Sequence, residues 1–432
     1  MKPAARLQAA IDVLEQILTH HQPAATALSD WGKAHRYAGS GDRSAIGNLV
    51  YDSLRRRAFS AHHMRSDTPR ALLLGALRGV RQMEVADIAR LFDGALHAPA
   101  SLTGDERTRL IEGPDRDASD WQIANIPQWL EPHFISVFGD RLQDEGRALA
   151  KRAPVDLRVN TLKTTRDQVL EALTQYGATA SDLCLDAIHI PAPEGDGRTP
   201  NVEAEAAHGR GWFEVQDTGS QIAAAMTGAK PGDRVLDLCA GAGGKTLAIA
   251  ARMQNRGTIT AYDSDKSRLR PIFERLTRAG ITNVDVLTAG DTAALDARKA
   301  AFDVVLVDAP CSGSGTWRRK PDAKWRLKPG VLAARIKDQQ SVLARAAYAV
   351  KPGGRLVYVT CSLLADENTD QVTQFLATNG HFTIRPWRQE WTAHVATPPP
   401  FLSADGRDDS LLLTPAQHGT DGFFIAVLSR AK

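Results

Sequence analysis

Over residues 1–112 the apolar positions recur every three or four residues. Leu7, Ile11, Leu14 and Leu18 fall on one helical face, with Gln8, Asp12 and Glu15 between them, and Ile46, Leu49, Val50 and Leu54 repeat the spacing. Leu72–Leu77 and Val85–Leu91 predict further helices, and no strand alternation interrupts them. Residues 113–120, with Gly113, Pro114 and several acids, predict a linker. Beyond it come helical stretches over Pro127–Phe138 and Leu142–Lys151, a strand over Asp156–Asn160, a helix over Arg166–Tyr176 and a strand over Ala187–Ile190. A loop rich in Pro and Gly, 191–200, follows. From about Gln216 the rhythm changes again. Short apolar runs at Arg234–Leu238, Thr258–Asp263, Val284–Thr288, Phe302–Val307 and Arg355–Thr360 alternate with helical stretches, which predicts a parallel, doubly wound sheet. Phe382–Trp387 and Gly422–Ser429, on either side of a long Pro-rich loop, predict a closing antiparallel pair.

A chain of 432 residues exceeds one ordinary domain. The rhythm divides it into an all-α part (1–115), a small α+β module (121–210) and an α/β domain (211–432). With 43% hydrophobic residues it can bury real cores, and a net charge of +3 permits nucleic-acid binding without arguing for it. The four cysteines, Cys184, Cys239, Cys311 and Cys361, include no Cys-x-x-Cys pair, so neither a thiolate metal site nor a disulfide framework is expected. No leader-like segment and no apolar run of about 18 residues is found, so the expectation is a cytoplasmic chain with reduced thiols and no membrane partner. Oligomeric state is not legible in one sequence.

Candidate chemistry begins at the turn after the first strand of the α/β domain, Asp237-Leu-Cys239-Ala240-Gly241-Ala242-Gly243-Gly244-Lys245-Thr246. Glycine admits positive φ and close approach of a ligand, and the following helix offers free N–H groups. Asp263 ends the next strand, where an acid can bind the two hydroxyls of a ribose. Three readings compete. A dinucleotide fold lacks its Gly-x-Gly-x-x-Gly. A P-loop ATPase would use Gly243-Gly244-Lys245-Thr246, but it needs glycine where Cys239 stands. The third is S-adenosylmethionine binding, which uses the same strand, turn and ribose acid.

Cys184 and Cys239 read as small buried hydrophobes. Cys311, in Asp308-Ala-Pro310-Cys311-Ser-Gly313, and Cys361, in Thr360-Cys361-Ser362, stand just past the carboxyl ends of predicted strands, where open α/β sheets place ligands. A thiolate there can add to carbon 6 of a pyrimidine and make carbon 5 enamine-like, able to accept a methyl group. A proton then leaves carbon 5 and the thiol is expelled. Asp308 is placed to hydrogen-bond a cytosine edge or, more plainly, to cap its strand. The stretch Trp317-Arg-Arg-Lys320-Pro-Asp-Ala-Lys324-Trp325-Arg-Leu-Lys328 alternates cations with indoles, a pattern for clamping phosphates and stacking bases. The alternative is a solvated basic loop anchored to the core by Trp, and the place directly after the Cys311 turn favours nucleic acid. Arg55-Arg56-Arg57 is a weaker candidate for the same task, because helix ends often carry arginines.

With these residues the chain resembles the Sun/Nop family of RNA cytosine-5 methyltransferases, in its bacterial RsmB-like branch, over about 125–430. Arg158-Val-Asn160-Thr-Leu-Lys163, Gln216-Asp217-Thr-Gly-Ser220-Gln221, the two cysteine motifs and Asp421-Gly422-Phe423-Phe424-Ile-Ala426 carry the likeness. The resemblance implies a class I methyltransferase with a doubly wound seven-stranded sheet, preceded by an RRM-like RNA-binding module and a NusB-like helical domain. It implies S-adenosylmethionine as cofactor, no metal, and RNA as substrate, ribosomal RNA first and transfer RNA as the alternative. Cys361 would be the nucleophile and Cys311 would help release the product. Cys239, Ala240, Gly241, Ala242, Gly243, Gly244, Lys245, Asp263, Asp291 and Asp308 would line the cofactor site. The family usually reads Ala-Pro-Gly-Gly-Lys at the turn, so Ala242 replaces a proline, which loosens the loop and restores an N–H. Rival readings remain: DNA cytosine methylation, which assigns attack to Cys311; a P-loop ATPase; and an RNA-binding assembly factor with a relic pocket.

Overall fold

The computed structural model describes residues 1–113, 117–193, 195, 197–395, 399 and 401–432, so part of the expected linker at 113–120 and parts of both Pro-rich loops lie outside the described residues. The chain forms two compact units. The first comprises Met1–Arg152, Pro193–Arg198 and Trp317–Leu327, and the second Ala153–Ala192, Thr199–Thr316 and Lys328–Lys432.

The first unit is helical. Helix Pro3–His20 starts with proline at its first turn, where the missing N–H costs nothing, and buries Leu7, Ala10, Leu14 and Ile17. This stripe meets Ile46, Leu49, Val50 and Leu54 of helix Ser40–Arg55 and Leu73, Leu74 and Leu77 of helix Pro69–Gly79 in one core.

The segment Trp317–Leu327 departs from its expected role. Trp317, Arg318 and Lys324 are buried. Trp317 stacks on Phe134 at 5.8 Å, the Trp325 indole donates to Leu54 O at 2.7 Å, and Lys324 Nζ donates to Arg55 O at 3.2 Å. The arginine run is drawn into the same packing. Arg55 pairs with Asp52 and donates to Arg318 O, Arg56 lies over Phe59, and Arg57 lies over Trp325. Trp317, Arg318, Lys324 and Trp325 thus serve packing here, because long stems and planar heads cover aromatic faces well, while Lys320, Arg326 and Lys328 stay exposed.

Burial, with Arg55 and Arg56 nearby, lowers the Lys324 pKa to about 7, against 10.5 for an ordinary lysine. Between those values the unfolded chain binds more protons than the folded one, so this side chain makes stability rise with pH across that window and costs most below it. Lys324→Met is expected to flatten that rise and to add roughly 2 kcal/mol at neutral pH. Urea unfolding at a series of pH values checks this, and an unchanged pH slope contradicts it.

The second unit holds two sheets. In the small one, β1 (Val155–Val159), β2 (Thr179–Ala180), β3 (Ala187–Ile190) and β4 (Phe213–Val215) pair antiparallel in the order β2-β3-β1-β4. Helix Arg166–Ala172 packs Val169 into the core formed with Leu157 and Ile188. β4 lies past the expected boundary at 210, because its pairing with β1 carries the module on to Val215. Asn160 Nδ2 donates to Gly211 O and Ala279 O, both at 2.9 Å, and Lys163 Nζ donates to Arg278 O at 2.6 Å. The Arg158–Lys163 stretch therefore satisfies the orphan carbonyls at the end of helix Ile272–Ala279 and fixes the module to the larger sheet's helical layer.

The large sheet contains β5 (Arg234–Asp237), β6 (Thr258–Ala261), β7 (Val284–Val286), β8 (Phe302–Asp308), β9 (Val350–Thr360), β10 (Phe382–Arg385), β11 (Leu411–Leu413) and β12 (Phe423–Arg430). Its order is β10-β12-β9-β8-β5-β6-β7, the expected seven strands, and β11 adds an eighth on β12. β5 to β9 run parallel, and β12 runs antiparallel to both β9 and β10. Most of β8 and the Leu356–Thr360 half of β9 are buried on both faces and read as apolar runs. The Pro-rich stretch between β10 and β12 is more ordered than expected, with helix Trp387–His394 and β11 inside it. Strand order reverses between β5 and β8, so the crevice beyond their carboxyl ends is where a ligand belongs.

Candidate active site

β5 delivers the glycine turn to this crevice. Gly241 and Gly243 take φ of 51° and 82°, and a Cβ on Gly243 would stand 2.5 Å from Ile272 Cγ1, so only glycine fits there. Helix Gly244–Arg252 then begins. Asp263, past the end of β6, is 3% exposed. Its Oδ2 accepts from Gly241 N and its Oδ1 from Asp265 N, both at 2.9 Å. Ala240 N donates to Tyr262 O at 2.8 Å. Where the family has proline, the carbonyl of Ala242 accepts from Arg275 Nη1 at 2.8 Å, and Arg275 is itself paired with Glu214. A side chain from a neighbouring helix thus steadies the turn.

Acids dominate this crevice. Asp237 Oδ2 accepts from Thr246 Oγ1 at 2.6 Å, while its buried Oδ1 has no partner among the described residues. Burial pushes the Asp237 carboxyl up to about 7. Lys245 Nζ donates to Asp308 Oδ2 at 2.7 Å and lies 5.1 Å from the Phe423 ring. Burial pushes the Cys239 thiol up, and the charges of Asp237, Asp308 and Asp263 add to that. Against three carboxylates stand Lys245 and Arg268, the latter 3.9 Å from Asp263. With the Asp237 carboxyl raised to about 7 and each of the two cations set against an acid, the crevice has no surplus of positive charge to hold a polyphosphate. Asp291 lies past β7 and is exposed, and its carboxylate caps helix Thr292–Asp296 through Ala294 N. The structure links the turn to Asp263 through Gly241 N and to Asp308 through Lys245.

The two cysteines meet because their strands are parallel neighbours. Asp308 of β8 pairs with Val359 of β9, so the chain leaves both strands at the same level. The Sγ atoms of Cys311 and Cys361 are 3.4 Å apart. That contact, then burial, pushes the Cys311 thiol well above its ordinary range. Around the pair runs a network of buried polar groups. The Ser312 and Ser314 hydroxyls lie 3.3 and 3.1 Å from that of Ser362, and Gly315 N donates to Cys361 O at 2.9 Å. Glu367 accepts from Ser312 N at 2.7 Å and from Gln339 Nε2 at 3.1 Å. Asn368 accepts from Thr360 Oγ1 at 2.5 Å and donates to Ser362 O at 2.9 Å.

Glu367, Asn368, Gln339 and Asp237 were not singled out as site residues by the sequence reading. A faint signal existed for the first two: an acid and an amide following the apolar Leu363-Leu364, six and seven residues after Cys361. Gln339 lies inside a long helix, Pro329–Ala349, and nothing local marks it.

Comparison with known proteins adds to this geometry. The family described as "16S rRNA methyltransferase RsmB/F" matches residues 224–429, and the ferredoxin-like domain of the same proteins matches 126–194. A probable ribosomal RNA small subunit methyltransferase B of Synechocystis sp. is 33% identical over 313 residues, covering 71% of this chain and 67% of the relative. The ribosomal RNA small subunit methyltransferase B of Sodalis glossinidius is 33% identical over 366 residues, covering 83% and 76%. In fold, the chain is similar to NSun6 from Pyrococcus horikoshii, solved with SFG, with a TM-score of 0.61, 21% identity and coverage of 71% and 98%.

Proposed function

Because the chain belongs to the RsmB/F family of ribosomal RNA methyltransferases, we propose that it moves a methyl group from S-adenosylmethionine to carbon 5 of a cytosine in ribosomal RNA, through a transient bond from Cys361 to carbon 6. The observation that carries this reading is the pair of thiols 3.4 Å apart at the ends of β8 and β9, joined to the glycine turn by the Lys245–Asp308 ion pair.

The residues of the crevice fit the cofactor. Gly241 and Gly243 leave room for close approach, Asp263 has lone pairs left for ribose hydroxyls, and the orphaned Oδ1 of Asp237 is an acceptor in need of a donor. When bound, the cofactor supplies an electrophilic methyl group on a sulfonium. NSun6, of the same fold, was solved with SFG, an S-adenosylmethionine analogue. Asp308 spends one oxygen on Lys245 and keeps the other for a cytosine edge. By the family resemblance attack falls to Cys361, and Cys311, whose thiol is pushed up by contact with Cys361 and by burial, is left to assist release of the base. Loss of the carbon 5 proton then expels Cys361 and frees the base. The ATPase reading loses ground, since Lys245 is committed to Asp308 among carboxylates that repel phosphate.

Mapping 5-methylcytosine on small-subunit RNA from cells lacking the protein, then restoring it with purified protein and labelled cofactor, tests the proposal. Methylation of another atom, or of another class of RNA alone, would overturn it. Asp263→Asn keeps the shape and removes the charge. It is expected to weaken cofactor binding roughly 10- to 100-fold in calorimetric titration, and unchanged affinity contradicts the assignment.

A further inference from the structure

Two consecutive buried residues touch the turns of both cysteines, and the chemistry above uses neither. Glu367 ends a one-turn helical segment, Ala365–Glu367, and Asn368 follows it; they are 0% and 2% exposed. Glu367 reaches one way. Its carboxylate accepts from Ser312 N and the Ser312 hydroxyl, next to Cys311, and from Gln339 Nε2, which also donates to Pro310 O at 3.0 Å. Asn368 reaches the other way, to the Thr360 hydroxyl and the Ser362 carbonyl that flank Cys361. The Glu367 carbonyl accepts from Tyr358 OH at 2.7 Å, which ties the dipeptide to β9 itself.

A carboxylate buried without a cation is expensive, and among the described residues none pairs with Glu367. Stability alone would be better served by a neutral side chain. The four donors converging on this dipeptide's acid and carbonyl instead fix the Pro310–Ser312 turn against β9. Asn368 fixes Thr360–Ser362 independently, through an acceptor and a donor that only an amide offers together.

We infer that Glu367 and Asn368 are positioning residues with separate duties, Glu367 holding the Cys311 turn for release of the base and Asn368 holding the Cys361 turn for attack. The inference rests on the covalent reading above. A misplacement of a reacting group by about 1 Å can cost a hundredfold in rate, so each substitution should damage one step more than the other.

The test measures covalent RNA–protein adduct on denaturing gels beside single-turnover methyl transfer and thermal unfolding, with Cys311→Ala as the adduct-forming control. Glu367→Gln is expected to raise adduct about tenfold over the unaltered protein, with turnover falling more than single-turnover transfer. Ser312→Ala, which removes one bond to Glu367 and leaves the buried carboxylate, should give the same pattern more weakly. Asn368→Asp sets a carboxylate against the Ser362 carbonyl and should lower transfer and adduct together by about tenfold or more. If Glu367→Gln and Ser312→Ala give no adduct while Cys311→Ala does, this inference fails alone. Equal losses in both steps that track the loss of thermal stability also overturn it. If Cys311→Ala leaves no adduct, the covalent reading fails and takes the inference with it.

Discussion

Cys361→Ala is expected to abolish methyl transfer, by roughly four orders of magnitude or more, and to leave no adduct with RNA. Cys311→Ala is expected to leave RNA bound covalently to Cys361 through denaturing electrophoresis. The two thiols are near neighbours in space and similar in chemistry, so the asymmetry must come from their surroundings. In the intact pair, contact with Cys361 and then burial push the Cys311 thiol up, and its turn is anchored through Ser312 to Glu367. A protonated thiol cannot add to an electron-poor ring. On this assignment removing Cys361 removes the attacking sulfur, whereas removing Cys311 leaves attack intact and slows escape. Adduct from Cys361→Ala, with none from Cys311→Ala, would reverse the assignment and favour the route proposed by analogy with DNA cytosine methylation.

The strand ends that bring the two thiols together were legible because β8 and the Leu356–Thr360 half of β9 are apolar and parallel, and such runs announce themselves without tertiary knowledge. The glycine turn and Asp263 were legible for a related reason: positive φ and a strand-ending acid leave residue-type signatures. Other features had no such mark. β2 and β4 span Thr179–Ala180 and Phe213–Val215, too short to show a period, and they exist because β3 and β1 offer edges. Helix Trp387–His394 falls almost wholly where the sequence predicts a loop. Its Glu390 is fixed by Arg355 and Arg385, from β9 and β10, contacts that no local pattern reveals.

The basic-aromatic stretch is a different kind of miss. Trp317, Lys324 and Trp325 have the right chemistry for nucleic acid, and the sequence pattern is the same whether the partner is a base or Phe134 and Leu54 O. Burial decides between the two, and burial is a property of the fold. Asn160 and Lys163 are similar: the resemblance placed them in an RNA-binding module, and the structure has both donating to the end of a helix beside the large sheet.

Gly315→Ala is expected to cost about 3 kcal/mol of stability and about a hundredfold in adduct formation. Gly315 and Gly422 bring two backbones into direct contact. A Cβ on Gly315 would lie 2.3 Å from Gly422 O and 2.6 Å from its Cα. Those atoms are backbone and have nowhere to go, since Gly422 N donates to Gly315 O at 2.8 Å and Gly315 N donates to Cys361 O at 2.9 Å. The methyl group would have to part the turn after Cys311 from the residue that leads into β12, and the bond to the Cys361 carbonyl would go with it. Gly313→Ala supplies the contrast. Gly313 has φ of 71°, but its Cβ would meet only Thr316 Oγ1, at 3.6 Å. It should cost about 1 kcal/mol of backbone strain without parting the strands. Thermal unfolding and adduct yield on both variants separate close approach from strain. Equal effects from the two would mean that the contact between Gly315 and Gly422 has no special part in holding Cys361, and that the turn's positive φ matters as much as the packing behind it.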